Sequence, residues 1–312
     1  MDSRTAIKQG LALAWRSRSV VWILLLANLA LAALAALPIY HGILRFTGHS
    51  LVSETLATGF SVDWLTDFSM NNPGSLERYA NLILWFGLLS LPVNSLLTGG
   101  VLGRFLVPDR KYSTGDFFRN VRRFAWRMLW LMAVGLVLYW AVFRLVNQAL
   151  GSRVDRWTQD WLDDRPVFWA RLGVTVLVLA GLALVNVVLD YARVRVVAED
   201  GESVAEAFLA SLGFSIGRFR RAVTVYAFLS LCGVVLLIFY RLVVPWSAVN
   251  ATGSAGSLEQ YREPFVLALL FLGQQLIMFG RFWFRVATWA GEWSFYTGSR
   301  PAPPQAEPPA PA

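Results

Sequence analysis

The sequence has few of the side chains on which most catalytic and metal sites depend. Of its 312 residues one is cysteine, Cys232, and two are histidine, His41 and His49. A lone cysteine cannot form an intrachain disulfide, and two histidines without ligand spacing do not predict a metal site. There is also no phosphate-binding loop, dinucleotide fingerprint or pair of catalytic carboxylates. We therefore expect a protein that is not an enzyme and has no cofactor.

Charged residues are scarce as well, at 15% of the chain against about 25% in soluble domains. Hydrophobic residues make up 56%, and the mean hydropathy is +0.50. The apolar residues form six runs near 20–37, 80–107, 125–146, 167–191, 222–244 and 265–284. A helix needs about 20 residues to cross a bilayer, and these runs are too uniformly apolar for barrel strands. The sequence predicts an all-α transmembrane fold, a bundle of six helices.

Basic residues give the expected orientation. The net charge is +8, and most of the 28 basic residues lie next to the ends of the runs on one side of the predicted bundle. Such asymmetry marks the cytoplasmic side of membrane proteins, so it does not indicate nucleic-acid binding. Arginine far outnumbers lysine, a bias associated with GC-rich bacterial genomes. We expect a multi-pass protein of the inner membrane with both termini in the cytoplasm.

Short patterns recur along the chain. Gly-Ser-Leu-Glu-x-Tyr occurs at 74–79 and 256–261, and a small residue followed by arginine ends three runs, at Arg104, Arg193 and Arg281. Ser113-x-x-Asp116 and Ser203-x-x-Glu206 have the spacing of a helix start. We predict three parallel two-span repeats, near 3–107, 113–198 and 203–298, each beginning with an amphipathic helix on the inner surface. They form one membrane domain, 1–298, followed by a disordered Pro-Ala-rich tail, 299–312.

Polar side chains inside the predicted spans are candidates for function, because their transfer into lipid is unfavourable. The amides Asn94, Asn186, Gln274 and Gln275 fall in the three inward spans. They predict either a polar pocket between the repeats or hydrogen bonds that hold neighbouring helices together. Asp190 precedes Arg193 by three residues, which favours an ion pair at the inner interface. Proton coupling and partner contacts are the alternatives for Asp190.

Arginines and aromatic residues mark the two membrane surfaces. The inner clusters interleave with phenylalanine and tryptophan, a composition that suits anionic lipid headgroups, although ordinary topology signals also account for it. We expect inner-interface contacts from Arg104, Arg122, Arg123, Asp190, Arg193, Arg220, Arg221 and Arg281. We expect outer-interface aromatic contacts from Trp64, Trp157 and Trp161.

One motif resembles a catalytic site. Residues 213–217 read Gly-Phe-Ser-Ile-Gly, which matches the nucleophile elbow of hydrolases. The elbow requires a strand before the serine, and no strand is predicted here. The two histidines also fall on the opposite side of the membrane from Ser215, so no catalytic triad can form.

The segment 197–208, Val-Ala-Glu-Asp-Gly-Glu-Ser-Val-Ala-Glu-Ala-Phe, and the Gly-Arg-Phe-Arg-Arg at 217–221 resemble a known family. It is the membrane domain that is fused to some glycerophosphodiester phosphodiesterases and also occurs alone in six-span bacterial inner-membrane proteins. The resemblance implies the six-span fold. It does not imply phosphodiesterase activity, because no catalytic domain is present.

Two functions remain open from the sequence. The first is a non-enzymatic accessory or scaffold subunit that binds other membrane proteins, a second copy of itself, or membrane lipids through anionic headgroups. The second is a carrier of small molecules or lipids, with a polar cavity between the repeats.

Overall fold

The computed structural model describes residues 1–48, 62–110, 112–159, 164–201, 203–243 and 264–299, and these ranges contain helices and no strands. The helices are α1 (Ser3–Arg16), α2 (Arg18–Thr47), α3 (Val62–Asn71), α4 (Ser75–Phe105), α5 (Thr114–Val142), α6 (Ala149–Trp157), α7 (Asp164–Ala198), α8 (Val204–Gly217), α9 (Phe219–Val243) and α10 (Pro264–Thr297). A π-helical segment, Phe143–Gln148, joins α5 to α6.

Five helical stretches of the described chain are long and apolar enough to cross a membrane. They are Arg18–Thr47, Ser75–Phe105, Thr114–Trp157, Arg165–Ala198 and Phe219–Tyr240. These stretches contain most or all of five of the six apolar runs, so the all-α, multi-pass class is confirmed. The sixth run falls within α10. The tail from residue 300 and the 256–261 pattern lie outside the described residues.

Two helices begin where the serine-acid spacing predicts. The Ser113 hydroxyl accepts a hydrogen bond from the Asp116 backbone N–H, and the Asp116 carboxylate accepts one from the Ser113 N–H. Ser203 and Glu206 form the same reciprocal pair at the start of α8. Each pair satisfies two backbone donors that a helix start would otherwise leave without partners. Both predicted helix starts are confirmed.

The short helices predicted for the inner surface differ between the chain segments. Separate helices precede α2 and α9, with breaks at Ser17 and Arg218. A separate helix was also expected before the third span, but α5 runs unbroken from Thr114 to Val142. No glycine, proline or serine occurs between residues 116 and 134, whereas Ser17 and Gly217 lie at or beside the two breaks. Good helix formers therefore continue the helix where the other two segments interrupt it.

The described chain divides into two compact units. The first combines Met1–Arg16, Gly99–Leu229 and Ala287–Ala312, and the second combines Ser17–Thr98 and Ser230–Val286. The first unit thus collects α1, the arginine-bearing end of α4, all of α5 to α8, and the adjoining ends of α9 and α10. Most of the fully buried side chains belong to it, including Phe117, Leu131, Leu189 and Phe295.

The second unit contains α2, α3, most of α4 and the remaining parts of α9 and α10. Its α3 helix, predicted as a short surface helix of the first outer loop, packs through aromatic rings. The Phe68 ring lies 5.0 Å from Phe46 of α2, 5.2 Å from Trp64 and 6.3 Å from Tyr79 of α4. Along the same pair of helices, Gly42 leaves room for the Tyr79 ring.

Candidate functional site at the arginine-rich helix ends

The C-terminal end of α7 carries a buried ion pair. Asp190 is fully buried, and its carboxylate accepts a hydrogen bond of 2.6 Å from the Arg193 guanidinium, whose side chain is 13% exposed. The predicted pairing three residues apart is therefore present. A charge so far from solvent is tolerated only with a close counter-charge, so this pair fixes how α7 packs.

Four aromatic rings join α7, α8 and α10 beside the ion pair. Tyr191 and Phe295 are fully buried. The centre of the Phe214 ring lies 5.3 Å from that of Tyr191 and 5.8 Å from that of Phe295. Tyr296 packs against Phe214, and its hydroxyl donates a short hydrogen bond to the Glu199 carboxylate just after α7. The three helices thus meet at an aromatic cluster with a polar edge.

A second buried acid, Glu292, lies in α10 and was missed by the sequence analysis. It is fully buried, and both its carboxylate and that of Asp190 act electrostatically on the buried Tyr191 phenol. The sequence does contain a signal for it. Glu292 follows the apolar Trp289 at helical spacing and precedes Phe295 by three residues, which places the acid on an apolar helix face. The structure therefore groups two acids and a phenol in the core of the first unit.

Helices α1 and α10 meet at two glycines. A Cβ atom at Gly10 would lie 2.6 Å from the Cα of Gly291 and 3.2 Å from the carbonyl oxygen of Ala287. A Cβ atom at Gly291 would in turn lie 3.1 Å or less from the Val225 and Leu229 side chains of α9. Only glycine allows such a close approach of two helix backbones.

Helices α4 and α5 approach each other in a similar way. The Phe117 ring occupies the space beside Gly100, and the Asn120 side chain occupies the space beside Gly103. Asn120 donates a hydrogen bond to the Tyr112 hydroxyl, which donates to the Gly100 carbonyl. Burial raises the pKa of the Tyr112 phenol, and the Asn120 hydrogen bond opposes this to a smaller extent. The loop between the two helices is thereby tied back onto α4.

Arg104 is buried at the end of α4. Its guanidinium donates to the carbonyl oxygens of Val107 at 2.6 Å, Arg110 at 2.9 Å and Pro108 at 3.0 Å. These bonds close the turn that follows the helix. The predicted headgroup contact of Arg104 stays a prediction, but its side chain already has a structural role.

The other arginines predicted for the inner interface fall into two groups. Arg123 and Arg127 both bind the Asp200 carboxylate, Arg127 at 2.7 Å, and thereby link α5 to the turn after α7. The second group is exposed and forms no ion pair with a described residue: Arg122, Arg220, Arg221 and Arg281. Their charge is therefore available to partners outside the described chain.

The four amides do not all behave alike. Asn94 exchanges reciprocal hydrogen bonds of 2.9 and 3.0 Å with Asn28 of α2, and Asn186 accepts one of 2.7 Å from Tyr139 of α5. Gln274 of α10 is exposed, Gln275 is half-buried, and neither amide has a hydrogen bond to a described residue. Two amides thus hold helix pairs together, while the glutamines keep unused hydrogen-bonding groups.

The aromatic residues predicted for the outer interface also differ. Trp64 is half-buried and stacks on Phe68 within α3. Trp157 is exposed at the end of α6. Trp161 lies outside the described residues.

The hydrolase-like pattern forms no elbow. Ser215 lies inside α8 on its buried face, with Ala207 and Ser211. His41 lies within α2, and His49 is outside the described residues. Within the described ranges no three His, Cys, Asp or Glu side chains come together as a metal site requires.

The fold and the composition define a multi-pass helical membrane protein. The comparisons with family models, curated proteins and solved structures found no match for this chain. Its function must therefore be argued from its own residues.

Proposed function

We propose that this protein is a non-enzymatic scaffold of the bacterial inner membrane that binds another membrane protein through α10. The observation that carries the proposal is the exposed amide of Gln274. Phe271 precedes it by three residues and so shares its helix face, with 52% of the side chain exposed. This surface, Phe271 with Gln274, is the α10 face.

An exposed amide is unfavourable within a membrane span. Lipid cannot hydrogen-bond with it, and transfer of such a group into an apolar medium without a partner costs about 2–7 kcal/mol. A polar side chain on a second helix removes this penalty, and such bonds contribute about 0.6 to 1.7 kcal/mol each to helix association. The unused amide of Gln274 therefore favours a partner helix that offers a donor and an acceptor.

The carrier hypothesis has less support. It requires the amides to line a cavity, but Asn94 and Asn186 each bond to a neighbouring helix. Their hydrogen-bonding capacity is used for packing, so they offer little to a solute. We therefore keep the scaffold as the proposed function.

Photo-crosslinking tests the α10 face. A photoreactive amino acid at position 271 is expected to give a discrete adduct with a membrane protein in native membranes, because the partner helix lies against this position. Gln274→Leu is expected to weaken this association about 3- to 18-fold, since it removes one interhelical hydrogen bond. Adduct yield, with mass spectrometry of the product, measures both effects.

Helix α7 provides matched controls. Leu179 is also exposed, so a photoreactive residue there should label lipid and give no discrete protein adduct. Thr175→Val should leave the adduct at 271 unchanged, because the Thr175 hydroxyl already bonds to the Arg171 carbonyl. The scaffold proposal would be contradicted if positions 179 and 271 gave the same yield of protein adduct. It would also be contradicted if Gln274→Leu left the adduct at position 271 unchanged.

We further propose that α10 is the sixth span, that both termini are cytoplasmic and that the chain contains the three repeats. The contact between Gly10 and Gly291 supports an even number of crossings, because it brings α1 and the last helix together. The contacts α4–α5, α7–α8 and α10–α1 support the repeats, since each joins the arginine-bearing end of one predicted repeat to the first helix of another. The family resemblance of residues 197–221 fits the same arrangement.

Cysteine labelling tests this topology. In a Cys232→Ala background, single cysteines at the exposed positions 115, 205 and 298 should all react with a membrane-impermeant maleimide only from the cytoplasmic side, because six crossings place them together. A cysteine at the exposed position 70 should react from the opposite side. Labelling of 115 and 298 from different sides would contradict six spans.

A further inference from the structure

We propose that the corner between α1 and α9 binds the phosphate of an anionic phospholipid in the inner leaflet. The α1–α9 corner comprises five cationic residues: Arg4, Lys8, Arg218, Arg220 and Arg221. The inference rests on the proposed orientation, in which this corner lies at the cytoplasmic surface of the membrane.

One contact brings the two helices together. The buried Ser3 hydroxyl donates a hydrogen bond of 3.5 Å to the carbonyl oxygen of Arg221. Arg4 follows Ser3 directly, and Lys8 lies one helical turn further on the same side of α1. The cations of α1 therefore stand beside those at the start of α9.

The positive charge of the corner is not neutralised by the described chain. None of its five cations forms an ion pair with a described residue, and all five are exposed. Asp2 lies next to them, and its carboxylate, which accepts a hydrogen bond from the Ser3 backbone N–H, offsets only one of the five charges. In α5, by contrast, Arg123 and Arg127 both form ion pairs with Asp200. The corner thus keeps a net positive charge that can bind an anion from outside.

Exposed apolar side chains on α8 and at the start of α9 favour a lipid as the source of that anion. Leu209 and Ile216 of α8 are 64% and 67% exposed, and Phe219 at the start of α9 is 49% exposed. Leu209 and Ile216 are seven residues apart and so share one face of α8, opposite its buried Ala207 and Ser211. An exposed apolar face next to basic residues suits the membrane surface, where it contacts the acyl chains. A headgroup phosphate then lies at the depth of the guanidinium groups.

Arginine suits this ligand. The planar guanidinium binds phosphate oxygens through two parallel hydrogen bonds, and it remains charged at the membrane surface. The Arg218 guanidinium lies 4.9 Å from the centre of the Phe214 ring, which holds that cation close to α8. A phospholipid supplies both the phosphate and the acyl chains that this surface accommodates.

Native mass spectrometry of the purified, delipidated protein tests the proposal. Dioleoylphosphatidylglycerol is expected to bind more tightly than dioleoylphosphatidylcholine. Arg220→Gln/Arg221→Gln and Arg4→Gln/Lys8→Gln are each expected to weaken phosphatidylglycerol binding about tenfold, because both helices contribute cations. Arg220→Lys/Arg221→Lys should retain most of the binding, which separates loss of charge from misfolding.

The matched control removes two exposed arginines elsewhere, as Arg45→Gln/Arg153→Gln, and should change phosphatidylglycerol binding less than about twofold. If the control lost as much phosphatidylglycerol binding as the corner variants, the effect would be one of general charge, and the proposed site would be wrong. The site would also be wrong if both corner variants bound phosphatidylglycerol as tightly as the unaltered protein. Displacement of the lipid by millimolar inorganic phosphate would assign the corner to a soluble anion. Crosslinking at position 271 tests the scaffold function, and cysteine labelling tests the topology. Neither measurement uses the cations of the corner, so a failure of the proposed function can be told apart from a failure of lipid binding.

Discussion

Asp190→Ala is expected to lower the free energy of unfolding by about 3–5 kcal/mol, the largest loss we expect from removing one side chain. The substitution leaves the Arg193 guanidinium mostly buried without the carboxylate that binds it at 2.6 Å. An uncompensated charge in this position is more unfavourable than the lost hydrogen bond itself. Unfolding of the detergent-solubilised protein by sodium dodecyl sulfate, followed by far-ultraviolet circular dichroism, measures the change.

A double substitution separates the burial of charge from the loss of packing. Asp190→Leu/Arg193→Met replaces both members of the pair with apolar side chains, and we expect it to recover most of the stability that Asp190→Ala loses. Arg119→Ala is the control, since Arg119 pairs with Asp116 at the same spacing but is largely exposed. Exposed pairs contribute at most about 1 kcal/mol. If Asp190→Ala were no more harmful than Arg119→Ala, the ion pair would not organise the end of α7.

Gly10→Ala is expected to detach α1 from α10, although it adds only a methyl group. The new Cβ atom would lie 2.6 Å from the Gly291 backbone, which no side-chain rotation can relieve. Overpacking of this kind costs about 1–3 kcal/mol, and the loss should be greater for Gly10→Val. Unfolding in sodium dodecyl sulfate and faster proteolysis of the first helix would both report the change.

Gly213→Ala in α8 is the matched control. Gly213 also lies inside a short helix, but no atom lies within 4 Å of a Cβ placed there. Alanine restricts the unfolded chain more than glycine, so we expect Gly213→Ala to raise stability by about 0.5–1 kcal/mol. If Gly10→Ala and Gly213→Ala changed the stability in the same direction, the close approach of α1 and α10 would be contradicted.

Local features of this structure could be predicted from the sequence. The serine caps at 113 and 203, the Asp190–Arg193 pair and five of the long apolar helices each depend on residues a few positions apart. The spacing of those residues is sufficient to specify the contact, because helix geometry is regular.

Features that depend on distant segments could not be predicted. The sequence identified Asn94 and Asn186 but not their partners Asn28 and Tyr139, since nothing in a single chain specifies which helices are neighbours. The burial of Glu292 likewise depends on packing around the end of α10. The continuous α5 was also missed. Similar basic clusters precede three of the apolar runs and suggested three similar helix breaks, but the residues around the clusters differ in helix propensity.

The docking of α1 on α10 has a consequence for biosynthesis. The ribosome makes α1 long before α10, so the Gly10 face waits without its partner while most of the polypeptide is translated and inserted. A nascent or prematurely terminated chain leaves that face uncovered for quality-control proteases to recognise. Completion of the last helix thus protects the first.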